Sequence, residues 1–343
     1  MISFKNDYNN IGHPLVLEAL KSASNNYFDG YGLDEESKEA SSLIRKYIKK
    51  EVDIHFLIGG TSANKTVISH ILKPYEAVIA VDSGHINVHE TGAIEANGHK
   101  VLITKGVDGK ILPEEIKRVV SAHGDEHMVK PKMVYISDST EVGSVYTKSE
   151  ISNLSKVCKE LDLYLYLDGA RLGVALMSDD NDLTLNDIAT YCDVFYIGGT
   201  KNGALFGEAV VISNKKLKES FRYSIKQNGG MLAKGFITGI MFKTLFTNDL
   251  YFNLAKNANF MAANLTKGLE DLRIDFKCKF KTNQIFINLK EEIVEELKLN
   301  YSFEIWEKTI TFTTIRLVTS WSTTQKMIEN FLQDLKKTIC KLK

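Results

Sequence analysis

Three short stretches of the chain combine residue types that could do chemistry, and each follows an apolar run. The first, residues 59–65, lies between a predicted strand and a predicted helix, where backbone N–H groups at the helix N-terminus can bind an anion. It is not a Walker A loop, because Asn64 stands where that pattern needs glycine. An ordinary helix start capped by Thr61 or Ser62 explains the same residues.

The second stretch, residues 164–171, is an apolar strand that ends in an acid and is followed by an arginine. An aspartate at the carboxyl end of a strand faces the usual ligand crevice of an α/β sheet. Asp168 could therefore hold a metal, a ribose or a protonated ring nitrogen. The alternative is that Asp168 caps a helix and pairs with Arg171.

The third stretch, residues 194–203, places Lys201 among glycines after another strand. Desolvation of such a lysine lowers its pKa and makes the amine a nucleophile for Schiff-base chemistry, whereas a solvated turn lysine is the alternative. One ligand would explain an anion-binding turn, an aspartate and a lysine in this order. Pyridoxal 5′-phosphate needs a phosphate site, a carboxylate for its ring nitrogen and an amine for its aldehyde.

The elements that must position these residues alternate between β-branched or aromatic runs and helical periodicity, which predicts an α/β sheet covered by helices. Beyond residue 246 the pattern changes and predicts a smaller α+β unit. We expect an N-terminal segment (1–27) packed on the small domain or on a neighbouring subunit, a large α/β domain (28–246) that binds the cofactor, and a small C-terminal domain (247–343). Strands are predicted at 55–58, 77–81, 100–103, 133–137, 164–168, 194–197, 209–212, 284–289 and 314–319, and helices at about 62–72, 87–97, 113–122, 148–161, 249–272 and 322–339.

Six groups of residues occur together along almost the whole chain. They are Gly30-Tyr31-Gly32, Gly60-Thr61-Ser62-Ala63-Asn64, Ser83-Gly84-His85 with His89-Glu90-Thr91-Gly92, Leu167-Asp168-Gly169-Ala170-Arg171, Gly199-Thr200-Lys201 and Ile315-Arg316-Leu317-Val318-Thr319. In this order they resemble the fold-type I pyridoxal-phosphate enzymes and, within these, the low-specificity L-threonine aldolase group of the β-eliminating-lyase superfamily. The resemblance implies a large, mostly parallel seven-stranded sheet with helices on both faces, and a smaller C-terminal α+β domain.

The resemblance also implies roles in cofactor binding. Lys201 corresponds to the lysine that binds the cofactor's aldehyde, and Asp168 to the partner of its ring nitrogen. His85 matches the imidazole that stacks on the ring, and Arg171 matches an arginine that supports the aspartate and the substrate side of the site. The turn that holds the phosphate matches Gly60, Thr61 and Ser62.

Substrate contacts follow from the same resemblance. Arg316 matches the arginine that binds the substrate α-carboxylate, a bidentate task that suits a guanidinium group. Asn6 belongs to an N-terminal segment in which the family commonly has Ser-Asp-Thr and this chain has Asn-Asp-Tyr. Tyr31 matches a residue that reaches a neighbouring subunit's site. Lys226 resembles an interfacial residue near the phosphate, and a solvated lysine is its alternative.

Glu141 is the main departure from the family pattern, because well-known aldolases have a histidine there, near the substrate β-hydroxyl. Retro-aldol cleavage needs a group that takes the proton of that hydroxyl, and Glu141 could serve as the base. His89, which follows His85 on the same helix face, is an alternative, and so is an ordered water.

The predicted reaction is therefore cleavage of the Cα–Cβ bond of a β-hydroxy-α-amino acid by a pyridoxal-phosphate lyase. L-Threonine or L-allo-threonine would give glycine and acetaldehyde. β-Elimination or transamination on the same scaffold, or a relative that binds the cofactor without catalysis, are the alternatives.

Composition excludes several other classes. The chain has 43 basic and 43 acidic residues, and it has no basic stripe, which argues against nucleic-acid binding. No apolar stretch is long enough to span a membrane and no secretory signal is recognisable, so we expect a cytoplasmic protein without membrane contact. Four widely spaced cysteines predict neither disulfides nor a metal site. The family resemblance predicts a homodimer or homotetramer with active sites at subunit interfaces.

Overall fold

A computed structural model describes residues 1–341; residues 342–343, the end of the predicted C-terminal domain, lie outside the described part. The strands are β1 Ile2–Ser3, β2 Asp53–Leu57, β3 Glu76–Val81, β4 Val101–Thr104, β5 Lys130–Ser137, β6 Tyr164–Asp168, β7 Val194–Gly198, β8 Glu208–Ile212, β9 Asp275–Cys278, β10 Gln284–Leu289, β11 Tyr301–Ser302, β12 Glu304–Lys308 and β13 Thr313–Val318. The helices are α1 Pro14–Ser22, α2 Glu35–Arg45, α3 Gly60–Ile71, α4 His85–Val88, α5 Ala93–Ala96, α6 Pro113–Ser121, α7 Lys148–Glu160, α8 Leu172–Leu176, α9 Leu185–Tyr191, α10 Phe221–Gln227, α11 Phe236–Phe246, α12 Leu250–Asp271, α13 Glu291–Leu297 and α14 Gln325–Lys341.

The large sheet has seven strands in the order β2-β8-β7-β6-β5-β3-β4. Neighbouring strands from β7 to β4 run parallel, and β8 runs antiparallel to both β7 and β2. The predicted sheet of seven mostly parallel strands is thereby confirmed. Because β5, β6 and β7 are parallel neighbours, their carboxyl ends meet at one edge of the sheet, where ligands of such folds bind.

Helices cover both faces of this sheet, and alternation along each central strand supplies the two cores. On one face, Ile136 and Leu165 pack in a cluster with Phe242 of α11. On the other face, Tyr135 and Tyr166 pack with Val67 of α3 and its neighbours. Strands buried on both sides read as continuous apolar runs, which is why the sequence predicted them well.

A second, antiparallel sheet in the order β12-β13-β10-β9 forms the C-terminal part of the fold. The N-terminal segment is attached to this region, since β1 pairs with β11 in parallel and the Phe4 carbonyl accepts a hydrogen bond from the Val318 N–H at 2.8 Å. The Phe4 ring also packs on Phe331 of α14, with 5.4 Å between ring centroids. These contacts direct the residues after Phe4 toward the edge of the large sheet.

The predicted helix at 87–97 is wrong as a single element. The chain forms two short helices, α4 and α5, separated by Thr91 and Gly92 in left-handed conformations with φ of 51° and 69°. A continuous helix cannot pass through two such residues. The prediction also missed α1, which begins with Pro14 at its first turn, and α2, which Asp34 caps.

Candidate active site

Asp168 and Lys201 lie just beyond the carboxyl ends of two neighbouring parallel strands. β6 ends at Asp168, and β7 ends at Gly198, shortly before Lys201. The two turns approach each other so closely that a Cβ atom on Gly169 would lie 1.9 Å from the carbonyl oxygen of Tyr196. Only glycine fits there, and its absence of a side chain lets the aspartate turn and the lysine turn meet.

The carboxylate of Asp168 is buried and accepts hydrogen bonds on both oxygens. Tyr135 Oη and Asn64 Nδ2 donate to Oδ2 at 2.5 and 3.0 Å, and Tyr196 Oη donates to Oδ1. Burial alone would raise the pKa of Asp168, but the charge of His85 and these hydrogen bonds outweigh burial and lower it. Asp168 therefore stays ionised and is suited to hold a protonated ring nitrogen.

The amine of Lys201 is in a desolvated position. Burial, followed by the positive charge of Arg171, lowers the pKa of Lys201, although the charges of Asp7, Asp168 and Glu208 act in the opposite direction. A lower pKa increases the fraction of neutral, nucleophilic amine near neutral pH. This environment favours the desolvated lysine over the solvated turn lysine.

The turn before α3 has the geometry of an anion site. Gly59 is the N-cap and no side chain caps the helix, so the alternative of a start capped by Thr61 or Ser62 is wrong. Ser62 Oγ is buried without a hydrogen-bond partner among residues 1–341, and a Cβ atom on Gly230 would lie 3.1 Å from it. Free N–H groups of the first helical turn and an unpartnered hydroxyl can together bind a phosphate.

His85 opens α4 and is linked to Asp168 through two buried residues. Its Nδ1 lies 2.8 Å from Oε1 of Glu90, whose side chain is fully buried. Asn64 Nδ2 donates to that same Glu90 oxygen at 2.7 Å as well as to Asp168. The amide of Asn64 therefore connects the histidine side of the site with the aspartate side.

Glu141 faces His85 and has an oxygen available for a ligand. Its Oε1 accepts the His85 backbone N–H at 3.1 Å and the Ser137 hydroxyl at 2.7 Å, whereas Oε2 is buried without a partner in the described residues. Burial is the main cause that raises the pKa of Glu141. His89 is the C-cap of α4, with its ring centroid 5.4 Å from that of His85, and burial lowers the pKa of His89.

The two predicted arginines differ in their partners. Arg171 does not pair with Asp168: its Nε and Nη2 donate to the two carboxylate oxygens of Asp7 at 2.8 and 3.1 Å. Arg316 has no carboxylate within ion-pair distance in the described part of the chain; it makes a 3.5 Å contact with Gln284 Oε1 and leaves Nε buried without a partner. Arg316 is therefore the guanidinium group available to bind a carboxylate.

Asn6 and Tyr31 lie outside this hydrogen-bonded cluster. The Asn6 side chain accepts the backbone N–H of Tyr8 at 3.1 Å and so stabilises the local turn. Tyr31 is half exposed, its carbonyl accepts a hydrogen bond from Arg222 at 3.1 Å, and Lys226 Nζ lies 5.1 Å from its ring centroid. The stretch that begins at Lys226 resembles an interfacial loop of the family, but Lys226 itself belongs to helix α10.

Several residues of the cluster were missed by the sequence reasoning. Asn64 and Glu90 belong to two of the six residue groups that carry the family resemblance, but no role was predicted for either. Tyr135 could have been found from strand alternation. It lies opposite Tyr166 on the same face of the sheet, and Asp168 follows Tyr166 by two residues and points to that face too. Asp7 matches the family's aspartate in the N-terminal segment, but its partner Arg171 is remote in sequence. Glu208 gave no local signal, since its partners lie in the turn after β7.

Two absences concern the part of the chain that the structure describes. Within residues 1–341, no group of three or more His, Cys, Asp or Glu side chains is arranged to hold a metal ion. None of the helices described there is long and apolar enough to cross a membrane.

Known proteins share this architecture. The low specificity L-threonine aldolase of Pseudomonas sp. (strain NCIMB 10558) is 31% identical over 329 residues, 94% of each chain. The solved structure of Leishmania major threonine aldolase superposes with a TM-score of 0.97 at 43% identity, covering 99% of this chain and 100% of that one. Aspartate aminotransferase of Thermus thermophilus, at 15% identity, shares the fold with a TM-score of 0.72 over 98% of this chain and 91% of its own.

The fold is thus that of the fold-type I enzymes, and the predicted fold class is confirmed. A family model described as beta-eliminating lyase matches residues 16–292. The chain belongs to the beta-eliminating lyase family.

Proposed function

We propose that the protein is a pyridoxal 5′-phosphate-dependent aldehyde-lyase that cleaves the Cα–Cβ bond of β-hydroxy-α-amino acids and releases glycine and an aldehyde. The observation that carries the proposal is the ionised Asp168 beside the desolvated Lys201 at adjacent strand ends. Relatives named low specificity L-threonine aldolase, 31% and 29% identical over 94% of the chain, support L-threonine as a substrate. L-allo-Threonine is the second proposed substrate. Acetaldehyde would be the second product.

The residues present fit pyridoxal 5′-phosphate. The unpartnered Ser62 hydroxyl, with the N–H groups of Gly60 and Thr61, would hold the phosphate. Asp168 would hold the ring nitrogen, and Lys201 would bind the aldehyde. Bound there, the cofactor supplies an electron sink for the charge left when a bond to Cα breaks. His85 would lie against the ring, since Glu90 holds its imidazole on the Asp168 side of the site.

Arg316 would orient the substrate by binding its α-carboxylate. Arg171 is already paired with Asp7, whereas Arg316 retains a buried Nε that has no partner in residues 1–341. A bidentate guanidinium–carboxylate pair fixes both the position and the rotation of the substrate. This orientation would decide which Cα bond can break.

Glu141 would accept the proton of the substrate β-hydroxyl. Its unpartnered Oε2 and its raised pKa suit a group that takes up and releases a proton. Its other oxygen is fixed by Ser137 and by the His85 N–H, so the carboxyl group keeps its orientation. His89 or a water molecule is the alternative base.

The N-terminal part of the chain supports an assembly of subunits, and we propose a homodimer or homotetramer with interfacial active sites. Large apolar side chains are exposed there at Tyr8, Ile11, Leu15, Tyr27, Tyr31 and Leu33. Exposed large apolar side chains favour burial against a partner, and these are grouped within the first 33 residues. Tyr31 and Lys226 would reach the neighbouring subunit's site, and light scattering would measure the assembly mass. The cytoplasmic location stays a prediction from sequence.

Product analysis tests the proposed reaction. The purified, cofactor-loaded protein is given L-threonine, L-allo-threonine and a β-phenyl analogue, and glycine and aldehyde are measured together. Equal release of both supports aldol cleavage. A keto acid would indicate transamination, released ammonia would indicate β-elimination, and no product from any substrate would favour a non-catalytic relative. Lys201→Ala should abolish product release and the visible absorbance of the Schiff base that Lys201 forms with the cofactor.

A further inference from the structure

The carboxyl group of Glu208 is bound to the turn that carries Lys201. Glu208 opens strand β8, directly opposite Gly198 at the end of β7, and is almost fully buried. Its Oε2 accepts the Gly199 N–H at 3.0 Å, and its Oε1 accepts the Thr200 hydroxyl at 2.8 Å. Both donors immediately precede Lys201, so one carboxyl group fixes the two residues that lead into the lysine.

Glu208 differs from the other buried acids around Lys201 in its partners. The charge of Asp7 is neutralised by a bidentate ion pair with Arg171. Asp168 accepts hydrogen bonds from Asn64 and from two phenols, and the charge of His85 lowers its pKa as well. Glu208 accepts hydrogen bonds only from neutral donors among the described residues, and the charge of Lys201 lowers its pKa.

We propose that Glu208 is a positioning residue for Lys201, whose buried carboxyl group holds the lysine turn and supplies the counter-charge that sets the pH at which the amine becomes nucleophilic. The inference rests on the proposed function, because it concerns the amine that binds the cofactor's aldehyde. The inference assigns a role to Glu208, a residue that has none in the proposed function.

The charges around Glu208 agree with this role. Burial raises the pKa of Glu208 to about 8, although the Thr200 hydrogen bond and the charge of Lys201 act to lower it. The charges of Lys201 and Asp168 act on its pKa in opposite directions. Three buried phenols whose pKa values are raised in part by the charge of Glu208 lie on β6, β7 and α12, namely Tyr166, Tyr196 and Tyr251. Glu208 therefore gains its negative charge as the pH rises through about 8, and that charge favours the ammonium form of Lys201.

The test measures how fast the full-length protein, freed of cofactor, takes up pyridoxal 5′-phosphate. The rate of gain in visible absorbance is followed from about pH 6 to pH 10, and only the neutral amine of Lys201 reacts, so the midpoint of the profile reports its pKa. Glu208→Gln keeps the shape but removes the charge. The midpoint should move down by about one pH unit, because a nearby negative charge no longer favours the ammonium form.

Three further variants separate charge from structure. Glu208→Asp restores a carboxylate and should return the midpoint to within about 0.3 unit of the wild type. Thr200→Val removes a donor that stabilises the charged form of Glu208, so its midpoint should move in the same direction as in Glu208→Gln, but less. Glu76, the first residue of β3, is a buried glutamate that accepts the backbone N–H of Lys73 and has no contact with the lysine turn. The midpoint of Glu76→Gln should therefore equal that of the wild type.

The possible results distinguish a failure of the Glu208 role from a failure of the proposed function. If Glu208→Gln and Thr200→Val both take up cofactor with the wild-type midpoint, Glu208 does not set the nucleophilicity of Lys201. If Glu208→Gln does not fold, the midpoints of Thr200→Val and Glu76→Gln are compared. A lower midpoint in Thr200→Val alone supports the role of Glu208, and equal midpoints contradict it. If the wild type itself gains no visible absorbance at any pH, the proposed function fails, and this result is distinct from an unshifted midpoint.

Discussion

Asp7 and Arg171, which are 164 positions apart in the sequence, form a buried two-bonded ion pair with N–O distances of 2.8 and 3.1 Å. Asn283 Nδ2 donates to the same carboxylate at 2.9 Å. The N-terminal segment, the turn after β6 and the segment before β10 therefore meet at one carboxyl group. Residues that are far apart in the sequence therefore meet beside the candidate active site.

Asp7→Ala should destabilise the protein strongly, because it leaves the Arg171 guanidinium buried without a counter-charge. The expected loss in the free energy of unfolding is about 3–5 kcal/mol, measured by urea denaturation. The matched control is Asp180→Asn, which breaks an exposed pair with Lys281 and should cost less than about 1 kcal/mol. Equal losses in both variants would contradict the structural importance of the Asp7 pair.

The same ion pair predicts a pH dependence of stability. Burial alone would raise the pKa of Asp7, but the charges of Arg171 and Lys201 and its hydrogen bonds outweigh burial and lower it. Because the folded-state pKa lies below the unfolded value of about 3.9, this contribution is complete above that value and is lost as the pH falls through the folded-state pKa. Thermal melts of Asp7→Asn below about pH 4 should therefore depend less steeply on pH than those of the wild type.

Arg316→Lys should weaken substrate binding without affecting the cofactor. A lysine keeps the charge but loses the bidentate contact, and a hydrogen bond between charged groups is worth about 1.5–3 kcal/mol. We expect kcat/KM to fall by roughly 10- to 150-fold, mainly through KM. The visible spectrum should be unchanged, and Arg118→Lys, at an exposed ion pair, should retain wild-type kinetics. A changed spectrum in Arg316→Lys would place Arg316 at the cofactor instead.

Glu141→Gln should remove the base for the β-hydroxyl proton while leaving the cofactor bound. General-base contributions of this kind are about 10²- to 10⁴-fold in rate. Because burial raises the pKa of Glu141, the activity of the wild type should rise with pH through that raised pKa, and this rise should be absent in the glutamine variant. Wild-type kcat with an unchanged pH profile in Glu141→Gln would assign the proton to His89 or to water.

Tyr196→Phe should weaken cofactor binding by removing one hydroxyl donor from Asp168. The charged form of Asp168 loses a stabilising hydrogen bond, so its pKa rises and its contact with a protonated ring nitrogen weakens. We expect the dissociation constant for pyridoxal 5′-phosphate to rise about tenfold. Tyr166→Phe is the matched control, since its hydroxyl donates to Asn64 at 2.8 Å and not to Asp168. Equal effects of the two variants would argue against the specific contact.

The strands of the large sheet and the positions of Asp168 and Lys201 could be predicted from local sequence. β7 is buried along its whole length and β6 at every residue after Tyr164, so both strands contain continuous apolar runs. Parallel neighbours end at the same edge of the sheet, so acids and lysines after such runs come together. Helix 87–97 failed because Thr91 and Gly92 in left-handed conformations interrupt an otherwise helical pattern.

The sequence by itself determined the class of fold, the aspartate and lysine at adjacent strand ends, and the glycines that allow their turns to meet, because all of these depend on neighbours in the chain. Only the tertiary structure decided how the charges are shared. It paired Arg171 with Asp7 in place of Asp168, left Arg316 without a carboxylate among residues 1–341, and placed Glu208 under the lysine turn. These pairings depend on burial and on partners that are distant in the sequence or on another strand, and no local pattern records them.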